Sequence, residues 1–153
     1  MTQGQAITKH VLLVEDDPAD IYLVQRAIAD CGLDVQLWVL SYGSEALPFL
    51  RQELPFPFAP APVLILLDLR LPDADGHDIL LELRRLPTYQ TTPVIVLSAA
   101  ERTLEEPRCL QLGANAYVQK RVNFPIYFRN LKTGVQRWLG KTTEAHSLVP
   151  MEG

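Results

Sequence analysis

Several large classes of protein are excluded by what this sequence lacks. It has two cysteines, Cys31 and Cys109, far apart and in no metal or redox spacing. That excludes a disulfide framework and reads as two buried thiols in a reducing compartment. No apolar run approaches the roughly 18 residues that a membrane span needs. Met1 to His10 has no apolar core of signal-peptide length, so a cytoplasmic protein is expected. Positive charge is in deficit: 14 Lys and Arg against 18 Asp and Glu give a net charge of −4. A nucleic-acid surface needs the opposite balance. Arg129, Lys132, Arg137 and Lys141 recur near the end, at the spacing of a solvated helix face. There is no internal repeat and no linker. What is present, 48% hydrophobic and 21% charged residues in a chain of 153, describes one globular domain.

The chain is organised around Val63-Leu64-Ile65-Leu66-Leu67-Asp68-Leu69. A short apolar run without alternation predicts a strand covered on both faces, as in a parallel α/β sheet. Asp68 falls at its carboxyl end, where such sheets collect ligands, and the turn residues Pro72, Asp73, Asp75 and Gly76 follow. Asp68 as the cap of the next helix is the alternative on this stretch alone. Further strands are expected at Val11–Val14, Val35–Val39 (partly alternating, hence nearer an edge), Pro93–Leu97 and Ala116–Gln119.

Helices are expected between the strands. Asp17 and Pro18 start the first and Gly32 stops it; the second begins around Ser44–Leu50. The third ends before Pro87, and a shorter one runs from Leu104 to Leu112, with Pro107 implying a late start or a kink. The last is capped by Asn123, with Tyr127, Phe128, Leu131, Val135, Trp138 and Leu139 on one face. Leu54 to Pro62, with four prolines and two phenylalanines, reads as a stiff extended connection whose rings tuck under the domain. A polyproline ligand is the other reading of that segment. Strand and helix alternate five times, which specifies a doubly wound (βα)5 parallel sheet with helices on both faces. Residues 1–10 read as an N-terminal extension, 11–139 as the domain and 140–153, without periodicity, as a loose tail.

Polar groups end four of these strands: Glu15 and Asp16, Asp68, Ser98 and Lys120. In a parallel sheet those ends share one edge, so the groups converge. Clustered carboxylates repel, and an oxygen-rich cluster suits Mg²⁺. A carboxylate, a divalent ion, a lysine and a hydroxyl together form a site for a phosphoryl group in transfer.

These blocks resemble the receiver domains of two-component response regulators over Val11–Leu139. The matching stretches are Val14-Glu15-Asp16-Asp17; Leu66 to Pro72 with Gly76; Pro93 to Ala99; and Leu112-Gly113-Ala114 leading to Tyr117 and Lys120. The opening Glu-Asp-Asp-Pro, the long connection before the central strand and the block ending in Lys120 are most similar to single-domain regulators paired with cyanobacterial phytochromes. The resemblance implies a five-stranded, flavodoxin-like receiver fold and a stand-alone phosphorylation switch. Asp68 would take a phosphoryl group from a sensor histidine kinase. Asp16 would bind Mg²⁺ directly, Glu15 through water, and Arg70 through its backbone carbonyl. Ser98 and Lys120 would contact the phosphoryl group, and Tyr117 would be the aromatic switch residue that turns inward when Ser98 is drawn away. A static aromatic at Tyr117 and a merely solvated charge at Glu15 are the plainer readings.

The resemblance further implies a homodimer through the last strand and its flanking helices, with Tyr117, Phe124, Tyr127, Phe128 and Trp138 as candidate surface residues. Two positions depart from the family pattern. Arg121 follows Lys120 where most receivers carry a cis proline, and a non-proline cis bond costs about 2.5–4 kcal/mol, so a trans bond is expected. Arg70 is a long cation where a small or amide side chain is commoner; its guanidinium would either swing over the pocket mouth or point into solvent. Phosphatases of the haloacid dehalogenase type share the nucleophile, metal and lysine, but place an acid where this chain has Arg70, which cannot act as a general acid. A scaffold that kept only the fold is disfavoured by the intact Asp16, Asp68, Ser98 and Lys120.

Overall fold

A computed structural model describes residues 8–120 and 123–147. The strands of the main sheet are β1 (Lys9–Val14), β2 (Val35–Leu40), β3 (Leu64–Asp68), β4 (Val94–Ser98) and β5 (Ala116–Gln119). They form one parallel sheet in the order β2-β1-β3-β4-β5. The helices are α1 (Pro18–Ala29), α2 (Ala46–Arg51), α3 (Gly76–Arg85), α4 (Arg102–Gln111) and α5 (Phe124–Ser147).

The unbroken apolar runs follow from this layering. Along β1, β3 and β4, side chains alternate between two cores. Leu12, Val14, Ile65, Leu67, Val94 and Val96 meet Phe49 and Leu50 of α2, Ile79, Leu80 and Leu83 of α3, and Cys109 of α4. Val11, Leu13, Leu64, Leu66, Ile95 and Leu97 meet Val24, Ala27 and Ile28 of α1 and Leu131, Val135 and Leu139 of α5. A strand flanked by neighbours and covered on both faces has no position left for a polar side chain until its end. β2, at the sheet edge, is only half-buried, as its partial alternation predicts.

Helix boundaries follow the local chemistry. Asp17 caps α1 by accepting from the Ala19 amide at 2.9 Å, with Pro18 in the first turn. Asn123 accepts from the Ile126 amide at 3.1 Å at the start of α5. Gly32 and Gly113 take the positive φ that ends the segments after α1 and α4. α4 starts at Arg102 and continues through Pro107, five residues into the helix rather than at a late start.

Three expectations need correction. The segment from Leu54 to Pro62 is a succession of turns, with the Phe56 amide bonded to Glu53 O and the Ala59 amide to Phe56 O. Of its rings, Phe56 packs on Phe49 at 5.4 Å, whereas Phe58 is 96% exposed. The last helix runs to Ser147, so residues 140–147 are helical rather than loose. Apolar periodicity reports burial, and it ends at Leu139; nothing in the following residues breaks a helix before Pro150.

Candidate functional site

The sheet register brings the polar strand ends together. Val14 lies opposite Leu67, Asp68 opposite Leu97, and Ser98 opposite Gln119. Glu15, Asp68, Ser98 and Lys120 therefore emerge along one edge of the sheet, at the ends of β1, β3, β4 and β5. Lys120 Nζ lies 2.7 Å from Glu15 Oε1, 3.0 Å from Asp20 Oδ2 and 3.5 Å from Asp68 Oδ1. Asp68 Oδ1 also accepts from the Arg70 amide at 3.2 Å, and Glu15 Oε2 from the Asp17 amide at 3.1 Å. Glu15, Asp68 and Ser98 are buried, while Asp16 is exposed at the mouth. A cavity of about 580 Å³ opens here, lined by Asp16, Asp17 and Arg70 as well as by the buried carboxylates and Lys120.

Burial pushes the Glu15 carboxyl up to about 7 against the pull of its Lys120 hydrogen bond. Burial also raises Asp68, opposed by the charge of Lys120 and the Arg70 amide. Burial disfavours the Lys120 charge, but the hydrogen bond and charge of Glu15 and the charge of Asp68 outweigh it, so Lys120 lies above the ordinary lysine value. The ammonium thus stays charged, and the crowded carboxylates resist ionising together. Carboxylate oxygens of Glu15, Asp16 and Asp68 lie within 4.8 Å of one another. Such an all-oxygen set fits a hard divalent cation, which relieves the same repulsion.

Ser98 Oγ accepts from the Ala100 amide at 3.0 Å. Tyr117 is already turned inward, 2% exposed, and its hydroxyl donates to Ala100 O at 2.7 Å. The inward position of the expected switch residue is thus occupied in this structure. The same burial corrects the expected dimer surface. Tyr117 and Tyr127 lie inside the chain and offer no ring to a partner. Phe124 is exposed and stacks on half-buried Phe128 at 6.0 Å, and Trp138 is half-buried. Arg70 is exposed and lines the mouth. The Lys120–Arg121 bond lies outside the described residues.

Asp20 escaped the sequence reading. It is 9% exposed in the first turn of α1. One oxygen faces Lys120, and the other accepts from Tyr127 Oη at 2.9 Å. Its place in the first turn of the helix that directly follows Glu15 and Asp16 was the available signal. Tyr127, Asp20 and Lys120 link α5 to Asp68 through buried polar contacts. Replacing Tyr127 with Phe leaves an Asp20 oxygen without its donor, at an expected cost of about 1–3 kcal/mol. A double-mutant cycle of Tyr127→Phe and Asp20→Asn in urea should give a coupling of about 0.5–3 kcal/mol; additive effects would deny the link.

With this geometry in view, residues 11–147 match the response regulator receiver domain, and the chain belongs to that family. Among curated relatives, it is 35% identical to response regulator Rcp1 of Synechocystis sp. over 135 residues, 88% of this chain and 92% of that protein. The Mn²⁺-bound crystal structure of Rcp1 superposes with a TM-score of 0.80, covering 86% of this chain and 94% of that one. The phosphorylated cyanobacterial phytochrome response regulator RcpA is 36% identical with a TM-score of 0.81, covering 88% and 96%. The receiver fold expected from the sequence is the one found.

Proposed function

We propose that this chain takes a phosphoryl group onto Asp68 from the phosphohistidine of a sensor kinase, of the phytochrome-linked type, in a Mg²⁺-dependent reaction. The observation that supports it best is the buried Asp68 carboxylate, held by the Arg70 amide and Lys120 beside Glu15 and Asp16. Its relatives Rcp1 and RcpA, solved with Mn²⁺ and in phosphorylated form, support the same reading. An Asp68 oxygen attacks phosphorus in line, the new O–P bond forming as the P–N bond to histidine breaks. Lys120, charged and nearly buried, pairs with the phosphoryl oxygens. Ser98 supplies a hydroxyl donor once it leaves the Ala100 amide. Glu15, Asp16, Asp68 and the Arg70 carbonyl would hold the ion, which when bound neutralises charge on the phosphoryl oxygens.

The chemistry stops at the acyl phosphate apart from slow self-hydrolysis, because Arg70 stands where a turnover phosphatase needs an acid. The signal passes through the face of α4, β5 and α5, where exposed Phe124 stacked on Phe128 suits a second copy of the chain. Among the described residues no helix is long and apolar enough to cross a membrane, and the cytoplasm is the compartment this reading requires.

Incubation with acetyl phosphate and Mg²⁺, followed by intact mass, should show the gain of one phosphoryl group. The adduct should be absent without the divalent ion and in Asp68→Asn. Neither an adduct nor phosphate release in the wild-type chain would leave a scaffold instead.

A further inference from the structure

A second cluster of metal-ligating side chains takes no part in this chemistry. His77, in the first turn of α3, is 8% exposed, and each of its ring nitrogens faces a carboxylate. Nδ1 lies 2.8 Å from Asp75 Oδ1 and Nε2 lies 2.7 Å from Glu105 Oε1. Cys109, fully buried, follows Glu105 by one turn of α4, so the two share a face turned toward α3. One ligand atom each of His77, Glu105 and Cys109 lies within 4.8 Å of the others.

We propose that His77, Glu105 and Cys109 form a transition-metal site of the zinc class, with water as the fourth ligand, tying α4 to the start of α3. Imidazole, carboxylate and thiolate are the zinc donor set, drawn in to about 2.0–2.3 Å around a tetrahedral ion. A thiolate and an imidazole select a borderline-soft ion over the Mg²⁺ that suits the all-oxygen pocket at Asp68. Asp75 is already in the position of the outer carboxylate that fixes a ligating histidine through its other nitrogen. A cavity of about 500 Å³, lined by His77 and Glu105, leaves room for the water. Arg70 and Arg108 line the same cavity. One carboxylate and one thiolate balance a divalent ion, so the loaded site carries no net charge beside them.

Without metal, burial pushes the Cys109 thiol up to about 11. Binding therefore breaks Sγ–H as the metal–sulfur bond forms, and that proton passes to solvent, while Nε2 of His77 turns its lone pair from Glu105 to the metal. Ser98 and Ala100 line the same cavity, so an ion here would hold α4 beside the strand end that carries the Ser98 hydroxyl.

The test is a titration of the full chain with Co²⁺, a spectroscopic stand-in for Zn²⁺, in excess Mg²⁺ to fill the oxygen-lined pocket. One equivalent should give a thiolate-to-cobalt charge-transfer band and intense tetrahedral visible bands, both reversed by Zn²⁺. The bands should persist in Asp68→Asn and Cys31→Ser and vanish in Cys109→Ser. Asp75→Asn should weaken Co²⁺ binding by about 10–100-fold. Absence of the charge-transfer band in the wild-type chain overturns the site, as does a band that survives Cys109→Ser. Should Cys109→Ser not fold, Glu105→Gln decides: a loss of at least about tenfold in affinity supports the site, and unchanged affinity overturns it. Because Asp68→Asn keeps the bands, failure of this site and failure of the phosphoacceptor reading are separate outcomes.

Discussion

Replacing Lys120 with alanine should destabilise the metal-free protein by about 3–5 kcal/mol at pH 7, because it leaves buried carboxylates without their counter-charge. Lys120 lies within 3.5 Å of Glu15, Asp20 and Asp68 alike, and its side chain is only 12% exposed. The deficit should depend on pH with a definite sign. An acid whose folded-state pKa is raised stabilises the fold below its unfolded value and loses that contribution as pH rises through the folded value. For Glu15 the window runs from 4.5 to about 7, and losing Lys120 moves its upper end higher. The variant should therefore approach the wild type as pH falls toward 5 and diverge from it above 7. A divalent cation should recover part of the loss by binding the folded state, about 2.7 kcal/mol at one hundred times its dissociation constant. Urea denaturation at pH 5, 7 and 8, with and without Mg²⁺, measures all three effects. A variant as stable as the wild type at pH 7 without metal would show that Lys120 does not hold the cluster together.

Gly76→Ala should cut phosphoryl uptake from acetyl phosphate by about 100-fold, the usual cost of displacing a reacting group by about 1 Å. The reason is space. A Cβ at Gly76 would stand 2.6 Å from the Asp68 carbonyl oxygen and 2.6 Å from Leu69 Cα, both backbone atoms that cannot rotate away. The Gly76 amide also donates to Leu69 O at 2.8 Å, so the start of α3 is fastened to the strand end that carries Asp68. Relief of the clash must move the phosphoacceptor or the helix. The accompanying loss of stability should be about 1–3 kcal/mol. Rates of adduct formation by intact mass, compared at a temperature where the variant remains folded, provide the check. Wild-type uptake in a folded Gly76→Ala chain would mean that this contact does not position Asp68.

Asp68 and Asp20 show how far the sequence could be read. Asp68 was legible because an apolar run ended in a carboxylate at a place where parallel sheets gather their chemistry, and the same logic found Glu15, Ser98 and Lys120. Each rests on local pattern plus the parallel topology. Asp20 sits in a helix turn where an acidic residue is ordinary, and only the approach of α5 and the end of β5 shows that both its oxygens are engaged. Tyr127 gave the converse error: an aromatic on a helix stripe reads equally as core or as interface, and the packing of α5 against α1 puts it inside.

By itself the sequence determined the strands, their parallel arrangement and the residues at their ends, because hydrophobic period and strand-terminal polarity are local properties that survive any detail of packing. Tertiary structure alone decided which side chains share a charge, which aromatics stay at the surface, and that His77 lies beside Glu105 and Cys109, themselves one turn apart on α4. Those are distances between residues remote in sequence, set by how α3, α4 and α5 dock on the sheet, and no spacing along the chain encodes them.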